Sequence, residues 1–321
     1  MARICIVTPA RAGTRNGNRH TALRWAAQLR GAGHRVTVAV QWNGAPCDLL
    51  LALHARRSHD SIARYRASCP RGPLCVALTG TDLYRDLPAS REARRSLELA
   101  DRILVLQDQA LRRVAPRLRQ KTRVVYQSAA SHARRAPPAR VFRVAVIGHL
   151  REEKDPFRTA AALARLPAAA AFEVVQLGAA LSPDMEREAR RRMATEPRYR
   201  WLGGVPHARA LGWLARSHLL VVSSRMEGGA NVIAEAARLG TPVLASRVEG
   251  NVGMLGRAYP GYFRLGDEQA LARLILRTAT DPRYYRALRE ALAARRARFA
   301  PSAERAALRG ALAALLRPRA R

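Results

Sequence analysis

Short apolar runs alternate with helical patterns along the whole chain, and this alternation constrains the fold more than any other feature. The runs include Leu49–Leu53, Leu74–Leu78, Leu219–Ser223 and Pro242–Ser246. Strands that alternate with helices pair in parallel, because each helix returns the chain to the edge where the next strand begins. The sequence therefore predicts an α/β fold with doubly wound parallel sheets.

The alternation occurs twice, on either side of a segment that has no apolar periodicity. This segment, Ser131–Arg140, carries two prolines and three arginines and is typical of a linker. A length of 321 residues also suits two domains. We predict a Rossmann-like domain at 1–136, a second at 137–298, and a helix at 299–321 that packs back across the domains. Ligands bind at the carboxyl ends of parallel strands, so we expect the site in a central cleft that the two domains face.

The chain is strongly basic, with 57 Lys and Arg residues against 24 Asp and Glu residues, yet only Lys121 and Lys154 are lysines. Arginine is abundant in every part of the sequence, and aromatic residues make up only 5%. This even distribution indicates that the positive charge reflects the overall composition and not a dedicated binding surface. Specific nucleic-acid binding is therefore a lesser alternative, although the charge will attract small anions. The final basic helix has two interpretations, packing on the protein or lying on a membrane, and we favour packing.

The sequence also bears on the compartment. No run reaches the roughly 18 apolar residues of a spanning helix, and the first residues enter a strand-like run without a signal-peptide layout. The four cysteines, Cys5, Cys47, Cys69 and Cys75, form no CxxC pair. We therefore expect a cytoplasmic protein with reduced thiols and no membrane span. The oligomeric state stays open.

The strongest candidate site is the segment 223–243, which reads SSRMEGGANVIAEAARLGTPV. Gly228 and Gly229 follow a buried strand and precede a helix that we expect to begin near Ala230 and to end at Gly240. Glycines allow a ligand to approach the backbone, and the first N–H groups of the helix favour an anion.

Two carboxylates flank this anion site. Glu227 lies just before the helix, and Glu235 lies four residues after Asn231 on the same helix face. Carboxylates at this separation can hold two sets of hydroxyl groups along one extended ligand. The alternative is a glycine loop with a capping glutamate and a surface glutamate.

These residues resemble the motif of glycosyltransferase family 4. The shared pattern is a strand and serine, two glutamates with seven residues between them, and Ala-x-x-x-Gly-x-Pro-Val. The family has the GT-B fold and transfers a sugar from a nucleotide donor with retention of configuration. The resemblance implies that Glu227 contacts the donor sugar, Glu235 contacts the ribose, and the amides of Gly228–Asn231 meet the diphosphate or sugar. It implies no cofactor and no metal.

A second segment of resemblance is the turn that runs from Gly148 to Lys154. Family members usually have Gly-Arg-Leu followed by Lys, with both cations on the donor diphosphate. Lys154 matches the lysine, and we predict a catalytic role for it beside Glu227, against the alternative of an exposed turn lysine. His149 stands at the arginine position and is a weaker phosphate partner, so Arg151 or Arg225 is expected to supply the missing charge.

Three weaker matches place the acceptor in the N-terminal domain. They are a glycine-rich loop, which we expect at 9–18 between the first strand and a helix near 19–31, an Asp–strand–His element with two following arginines, and a segment in the place of the family's His-Gly-x-Asp. The glycine loop is not GxGxxG, so a dinucleotide is unsupported. The alternatives are a plain turn, a core histidine and solvated arginines. The candidate acceptor residues are Arg15, Asn16, Gly17, Asn18, Arg19, His54, Arg56, Arg57, Thr79, Gly80 and Thr81.

The sequences of four segments narrow the resemblance further. Together they resemble a bacterial subgroup, the selenosugar synthases of selenoneine biosynthesis. These segments are Thr79–Tyr84, Ser223–Asn231, Gly250–Gly253 and Tyr259–Phe263. This implies transfer of N-acetylglucosamine or glucose from a UDP-sugar to selenophosphate, which gives a 1-selenosugar. Selenophosphate is already nucleophilic, so threonine at the place of the family histidine, Thr79, is compatible with it. The alternative is an ordinary retaining family 4 transferase that uses a lipid or saccharide acceptor.

Overall fold

The computed structural model describes residues 1–11, 13 and 17–317, and the chain divides into two compact units. The first unit comprises Met1–Gln127 and the chain from Pro301, and the second comprises Ser128–Ala300. The division lies just before the predicted linker. Residues 125–141 are all described and contain neither helix nor strand.

The first unit contains a six-stranded parallel sheet. Its strands are β1 (Arg3–Val7), β2 (Arg35–Ala39), β3 (Leu49–Leu53), β4 (Leu74–Leu78), β5 (Arg102–Val105) and β6 (Thr122–Val124). They lie in the order β2-β1-β3-β4-β5-β6. The winding direction reverses between β1 and β3, so the loops after these two strands lie where open parallel sheets bind ligands.

Helices cover both faces of this sheet. They include α1 (Gly17–Arg30), α2 (His59–Ser68), α3 (Leu87–Ala89) and α4 (Arg91–Leu99), with a π-helical turn at Asp82–Asp86 and 3₁₀ turns at Asp108–Arg113 and Pro116–Lys121. Every residue of β3 and β4 is buried. Leu50 and Ala52 belong to the hydrophobic core on one face, whereas Leu49, Leu51 and Leu53 belong to the core on the other. Burial on both faces explains why these strands are continuous apolar runs.

The second unit has its own six-stranded parallel sheet. Its strands are β7 (Phe142–Ile147), β8 (Phe172–Leu177), β9 (Tyr199–Trp201), β10 (Leu219–Val222), β11 (Val243–Ser246) and β12 (Tyr262–Phe263). They lie in the order β12-β11-β10-β7-β8-β9, which is the Rossmann order. The reversal falls between β7 and β10. The two segments that carry the strongest sequence motifs follow these two strands.

The helices of the second unit fill the crossovers. They are α5 (Arg158–Leu163), α6 (Pro183–Thr195), α7 (His207–Ala215), α8 (Asn231–Leu239), α9 (Glu249–Leu255), α10 (Glu268–Thr280) and α11 (Pro282–Ala293), with 3₁₀ turns at Glu152–Lys154 and Arg296–Phe299. Gly240 ends α8 in the left-handed conformation at φ 75°, and Pro242 follows. This combination is a common helix stop.

The last helix, α12 (Pro301–Ala313), belongs to the first unit. Leu308 and Leu312 join the core that contains Trp25 of α1. The buried Glu304 carboxylate accepts hydrogen bonds from Trp25 Nε1 at 2.8 Å and Gln28 Nε2 at 3.0 Å, and it pairs with Arg24 Nε at 2.9 Å. Three donors on α1 therefore compensate the buried charge.

The first helix begins earlier than the sequence indicates. The prediction of a loop through residue 18 is wrong, because α1 begins at Gly17. Gly17 and Asn18 are poor helix formers, but the first turn tolerates them because its N–H groups have no intrahelical partner there. Thr21 Oγ1 also donates to the carbonyl oxygen of Gly17 at 2.8 Å.

Within the residues that the structure describes, none of the helices combines the length and apolar character needed to cross a membrane.

Candidate active site

The turns after β7 and β8 pack against each other through their backbones. A Cβ added to Gly178 would lie 1.9 Å from the carbonyl oxygen of Gly148, so any side chain at 178 would push the two turns apart. The N–H of Ala179 donates to Nδ1 of His149 at 3.1 Å. The proton of a neutral His149 ring is therefore on Nε2, which makes that nitrogen a donor.

Lys154 and Glu227 meet where the winding of the sheet reverses. Lys154 ends the turn after β7, and Glu227 lies in the loop between β10 and α8. Nζ of Lys154 lies 2.5 Å from Oε1 of Glu227, and Ser224 Oγ donates to the same oxygen at 2.6 Å. Glu227 is only 7% exposed, so its charge depends on these two donors for compensation. The structure thus brings together the two residues predicted to be catalytic.

Hydrogen bonds to backbone carbonyl oxygens join the two loops that carry this pair. Ser223 Oγ donates to the carbonyl oxygen of Asp155 at 2.8 Å, and the N–H of Arg225 donates to the carbonyl oxygen of Glu153 at 2.8 Å. Asp155 adopts a left-handed conformation at φ 43°, which turns the chain from the 3₁₀ turn towards α5. The two loops are therefore held as one piece of structure.

The N-terminus of α8 follows directly. Ala230 occupies the N-cap position and has no polar side-chain atom, so its own side chain does not cap the helix. Gly228 is buried and Gly229 is half-buried in the preceding loop. The backbone N–H groups of Asn231 and the next residues, together with the helix dipole, favour a negative group at this position.

The second glutamate has a different environment. Glu235 is on α8, its side chain is 13% exposed, and its Oε1 lies 2.8 Å from Nε2 of His207. His207 is the first residue of α7 and is more than half exposed. Sequence reasoning missed His207, because nothing in a single sequence indicates that two residues on different helices will meet.

The two arginines predicted to replace the family's arginine lie in the same two loops. Nε of Arg151 is 3.9 Å from Oε2 of Glu153, and its side chain is 40% exposed. The Arg225 side chain is exposed. Both guanidinium groups are accessible to a ligand that reaches this edge.

A cavity at the same edge contains a further polar group that sequence reasoning missed. Its lining includes Gly148, Lys154, Gln176 and Glu227. Gln176 is fully buried, and its Oε1 accepts a hydrogen bond from the hydroxyl of Tyr199 at 3.0 Å. Its Nε2 has no partner among the described residues. The cavity therefore offers an ammonium, a carboxylate and an amide donor.

In the first unit, His54 follows β3 and is buried in the left-handed conformation at φ 73°. Its Nδ1 accepts from the N–H of Arg57 at 3.2 Å, and its Nε2 lies 3.1 Å from Oγ1 of Thr81. Burial lowers the pKa of His54 below its ordinary value, against the opposing effect of Asp82 and Asp86. At neutral pH the ring is therefore an oriented neutral donor.

Asp82 organises this region, and sequence reasoning did not select it as a site residue. The fully buried carboxylate accepts hydrogen bonds from the N–H groups of Ala55 at 3.0 Å and of Thr79 and Gly80 at 2.8 Å each. It thereby joins the loop after β3 to the loop after β4. Asp82 also begins the π-helical turn, a form that is often found at functional sites.

The charged candidates of the first unit lie around this buried core. Arg56 and Arg57 are exposed, and Arg56 Nη1 lies 3.5 Å from Oδ1 of the buried Asp86. Thr79 is half-buried. Sequence reasoning missed Asp86, whose Oδ2 lies 3.7 Å from His54 Nε2.

The predicted glycine loop is described only in part. Gly17, Asn18 and Arg19 form the first turn of α1, where Gly17 is exposed and the other two are half-buried. Arg15 and Asn16 lie outside the described residues. Across residues 1–11, 13 and 17–317, no group of three or more His, Cys, Asp and Glu side chains is arranged to hold a metal ion.

Comparisons with known proteins agree with this architecture. Residues 141–281 match the family described as Glycosyl transferases group 1. No curated protein matches the chain at a significant level.

Solved structures are similar over nearly the whole chain. HepE from Anabaena, in complex with UDP-glucose, has a TM-score of 0.78 at 18% identity, covering 98% of this chain and 100% of its own. The sucrose-phosphate synthase from Thermosynechococcus elongatus has a TM-score of 0.77 at 18% identity, covering 98% and 99%. The lipopolysaccharide outer core galactosyltransferase WaaB in its apo form has a TM-score of 0.72 at 14% identity, covering 98% and 100%. The predicted GT-B fold is confirmed, and the family match supports a glycosyltransferase.

Proposed function

We propose that this chain is a cytoplasmic glycosyltransferase that moves N-acetylglucosamine or glucose from a UDP-sugar to selenophosphate. The observation that carries the donor half of this proposal is the contact between Lys154 and Glu227 at the point where the sheet of the second unit reverses. Solved structures of similar fold with bound UDP-glucose support a UDP-sugar as the donor. All four cysteines are free thiols, which suits a reducing compartment.

The donor diphosphate would bind between Lys154 and the N-terminus of α8. An ammonium and a row of backbone N–H groups at this position stabilise the negative charge that develops as UDP leaves. The Nε2–H of His149 adds a hydrogen-bond donor. Arg151 and Arg225 supply the permanent charge that histidine lacks at the family's arginine position.

The two glutamates would hold the two ends of the donor. Glu227 is buried beside Lys154, so we assign it to the hydroxyl groups of the transferred sugar. Glu235 lies farther along α8 and pairs with the exposed His207, so we assign it to the ribose hydroxyl groups. In this arrangement His207 orients the Glu235 carboxylate.

The acceptor would bind to the first unit. Arg56 and Arg57 follow β3, and Thr79 and Thr81 follow β4, where a parallel sheet presents its ligand contacts. Selenium attacks C1 of the sugar, the bond from C1 to the diphosphate oxygen breaks, and UDP leaves with that electron pair. Water then cleaves the phosphorus–selenium bond, which gives phosphate and the 1-selenosugar.

One observation favours a second candidate, an ordinary retaining transferase that uses a saccharide or lipid acceptor. Asp86 Oδ2 is buried beside His54, and no donor among the described residues forms a hydrogen bond to it. A carboxylate oxygen in this state suits a hydroxyl group better than a dianion. The similar sucrose-phosphate synthase and galactosyltransferase structures support the same alternative.

Product analysis separates the two candidates. Purified protein is incubated with UDP-N-acetylglucosamine or UDP-glucose and with selenophosphate, thiophosphate, orthophosphate or saccharide acceptors, with and without EDTA. We expect UDP release and a selenosugar mass with selenophosphate but no product with the saccharide acceptors, and we expect the activity to survive EDTA. Glycosylated saccharide with no selenosugar would establish the second candidate. Full loss of activity with EDTA, restored by one divalent metal, would contradict the metal-free donor site.

Acceptor saturation tests the first unit separately. We expect Arg56→Ala or Arg57→Ala to raise the selenophosphate concentration needed for half-maximal rate, because each removes a cation near a dianion. Thr79→His should not improve the rate, since an ionised nucleophile gains little from a base. Wild-type saturation in both arginine variants would move the acceptor towards Arg15–Arg19.

A further inference from the structure

We propose that Gly250 and Asn251, at the start of α9, are positioning residues that fix the carboxylate of Glu227 for sugar transfer. The inference rests on the proposed function of Glu227. Both residues lie in the crossover after β11, the neighbour of β10, and neither belongs to the glutamate motif.

The first contact is between backbones. A Cβ on Gly250 would lie 1.9 Å from the carbonyl oxygen of Glu227, 2.6 Å from its carbonyl carbon and 2.7 Å from its Cβ. These atoms belong to the backbone or its root, so they cannot rotate away as the end of a long side chain would. The Glu227 loop can occupy its position only if residue 250 has no side chain.

The second contact is a directed series of hydrogen bonds. Asn251 Nδ2 donates to the carbonyl oxygen of Ser246 at 3.0 Å and to its Oγ at 3.1 Å. Ser246 Oγ donates to the carbonyl oxygen of Ser224 at 2.6 Å, and Ser224 Oγ donates to Oε1 of Glu227 at 2.6 Å. Asn251, Ser246 and Ser224 are at most 2% exposed.

The two contacts constrain different degrees of freedom of the same residue. Gly250 sets where the Glu227 backbone lies, and the Asn251 series sets where Ser224 holds its carboxylate. Lys154 Nζ contacts that same oxygen, so a displacement of the loop changes the geometry of the whole pair. Displacements near 1 Å in an active site can cost about a hundredfold in rate.

The test compares two glycines in helices of the second unit. Gly250→Ala inserts a methyl group against Glu227, whereas Gly212→Ala in α7 places its Cβ with nothing within 4 Å. We expect Gly250→Ala to lower kcat at least about tenfold and to lower kcat more than it weakens UDP binding, because in the proposed function Glu227 contacts the transferred sugar and Glu235 holds the ribose. Gly212→Ala should keep the wild-type kcat. Wild-type kcat in Gly250→Ala would overturn the proposal.

A double variant distinguishes positioning from general damage. If Gly250 acts through Glu227, adding Gly250→Ala to Glu227→Gln should lower kcat little further, because the two changes affect one interaction. If the kcat of the double variant falls by the product of the two single-variant losses, the proposal is overturned. Ser246→Ala removes the middle donor of the series without adding volume and should also lower kcat, so the proposal stays testable if Gly250→Ala fails to fold.

A readout that needs no activity separates this inference from the proposed function. In a crystal structure of Gly250→Ala we expect a displaced Glu227 loop and a broken contact between Lys154 Nζ and Glu227 Oε1. An unchanged contact would overturn the positioning role. Wild-type protein that releases no UDP with any acceptor would instead refute the proposed function and leave the crystallographic outcome to decide the positioning role.

Discussion

Replacing Lys154 by methionine removes a charge and keeps most of the side chain's length and apolar stem. Lys154 Nζ lies 2.5 Å from Glu227 Oε1, and the lysine side chain is 23% exposed. The variant tests whether this ammonium stabilises the departing diphosphate or serves only as a structural partner of Glu227.

The two roles differ in magnitude. Loss of a group that stabilises charge in the transition state costs about 2.7–4 kcal/mol, which is about 10²–10³ in kcat. Lys154→Met also lowers the free energy of unfolding, because the buried Glu227 carboxylate loses the ammonium and keeps only Ser224 as a donor. An incompletely compensated buried polar group costs about 1–3 kcal/mol in the free energy of unfolding. We therefore expect a large loss of kcat and a modest loss of stability.

The other lysine of the chain provides the matched control. Lys121 Nζ donates to the carbonyl oxygens of Glu98 at 3.1 Å and Ala100 at 2.6 Å, at the C-terminal end of α4. Lys121→Met should lower the free energy of unfolding by about 1–2 kcal/mol, since two charge-assisted hydrogen bonds are lost. It should leave kcat unchanged, because α4 carries none of the candidate site residues.

The assay combines urea unfolding with the rate of UDP release under saturating donor. We expect Lys154→Met to show a large decrease in kcat, and we expect Lys121→Met to show a decrease only in the free energy of unfolding. A Lys154→Met protein within threefold of the wild-type kcat would refute the role of Lys154 at the diphosphate. Loss of rate in proportion to loss of folded protein in both variants would refute the separation of roles.

Three further predictions concern other carboxylates and one histidine. Glu235→Ala should weaken UDP binding by about 10–100-fold in calorimetry, because hydrogen bonds to a charged acceptor are worth about 1.5–3 kcal/mol, and unchanged affinity would remove Glu235 from the site. Because burial lowers the pKa of His54 from 6.5, the unfolded chain binds a proton that the folded chain does not. The free energy of unfolding should therefore fall as pH drops below 6.5, and an equally steep fall in His54→Asn would contradict this. Glu304→Ala should lower the free energy of unfolding by about 3–5 kcal/mol, because it removes the acceptor of the buried Trp25 N–H and the carboxylate that pairs with Arg24. A change below about 1 kcal/mol in urea unfolding would show that α12 does not depend on this carboxylate.

The parts of the fold that the sequence predicts are those encoded by contiguous residues. β3 and β4 have the predicted bounds, because a strand buried on both faces is one unbroken apolar run. The end of α8 at Gly240 is also encoded by a single residue, because a helix that ends in the left-handed conformation usually has glycine at that position. The beginning of α1 was predicted wrongly, because Gly17 and Asn18 are typical of loops and helical first turns alike.

The parts that the sequence does not predict are contacts between distant residues. Asp82 bonds to the N–H of Ala55, and Glu235 bonds to His207. Each pairing depends on which loops the sheet order places side by side. His207 carries no pattern that distinguishes it from other histidines, and Asp82, although it lies in the segment matched to His-Gly-x-Asp, gives no indication in the sequence that it binds the loop after β3. Family resemblance supplied Glu227 and Glu235, but it did not supply the residues that orient them.

The contrast between the two glutamates follows from where their partners come from. Glu227 is held by residues of three loops that follow neighbouring strands β7, β10 and β11, and its partners Lys154, Ser224 and Gly250 leave it 7% exposed. Glu235 is held by one imidazole at the beginning of another helix, and that imidazole is more than half exposed. A carboxylate at a reacting centre gains from exclusion of water, because hydrogen bonds and charges act more strongly there. A carboxylate that only binds the ribose must hold the nucleotide and then release it, so a solvent-exposed partner is sufficient for that role. The different surroundings therefore support placing Glu227 at the transferred sugar and Glu235 at the nucleotide.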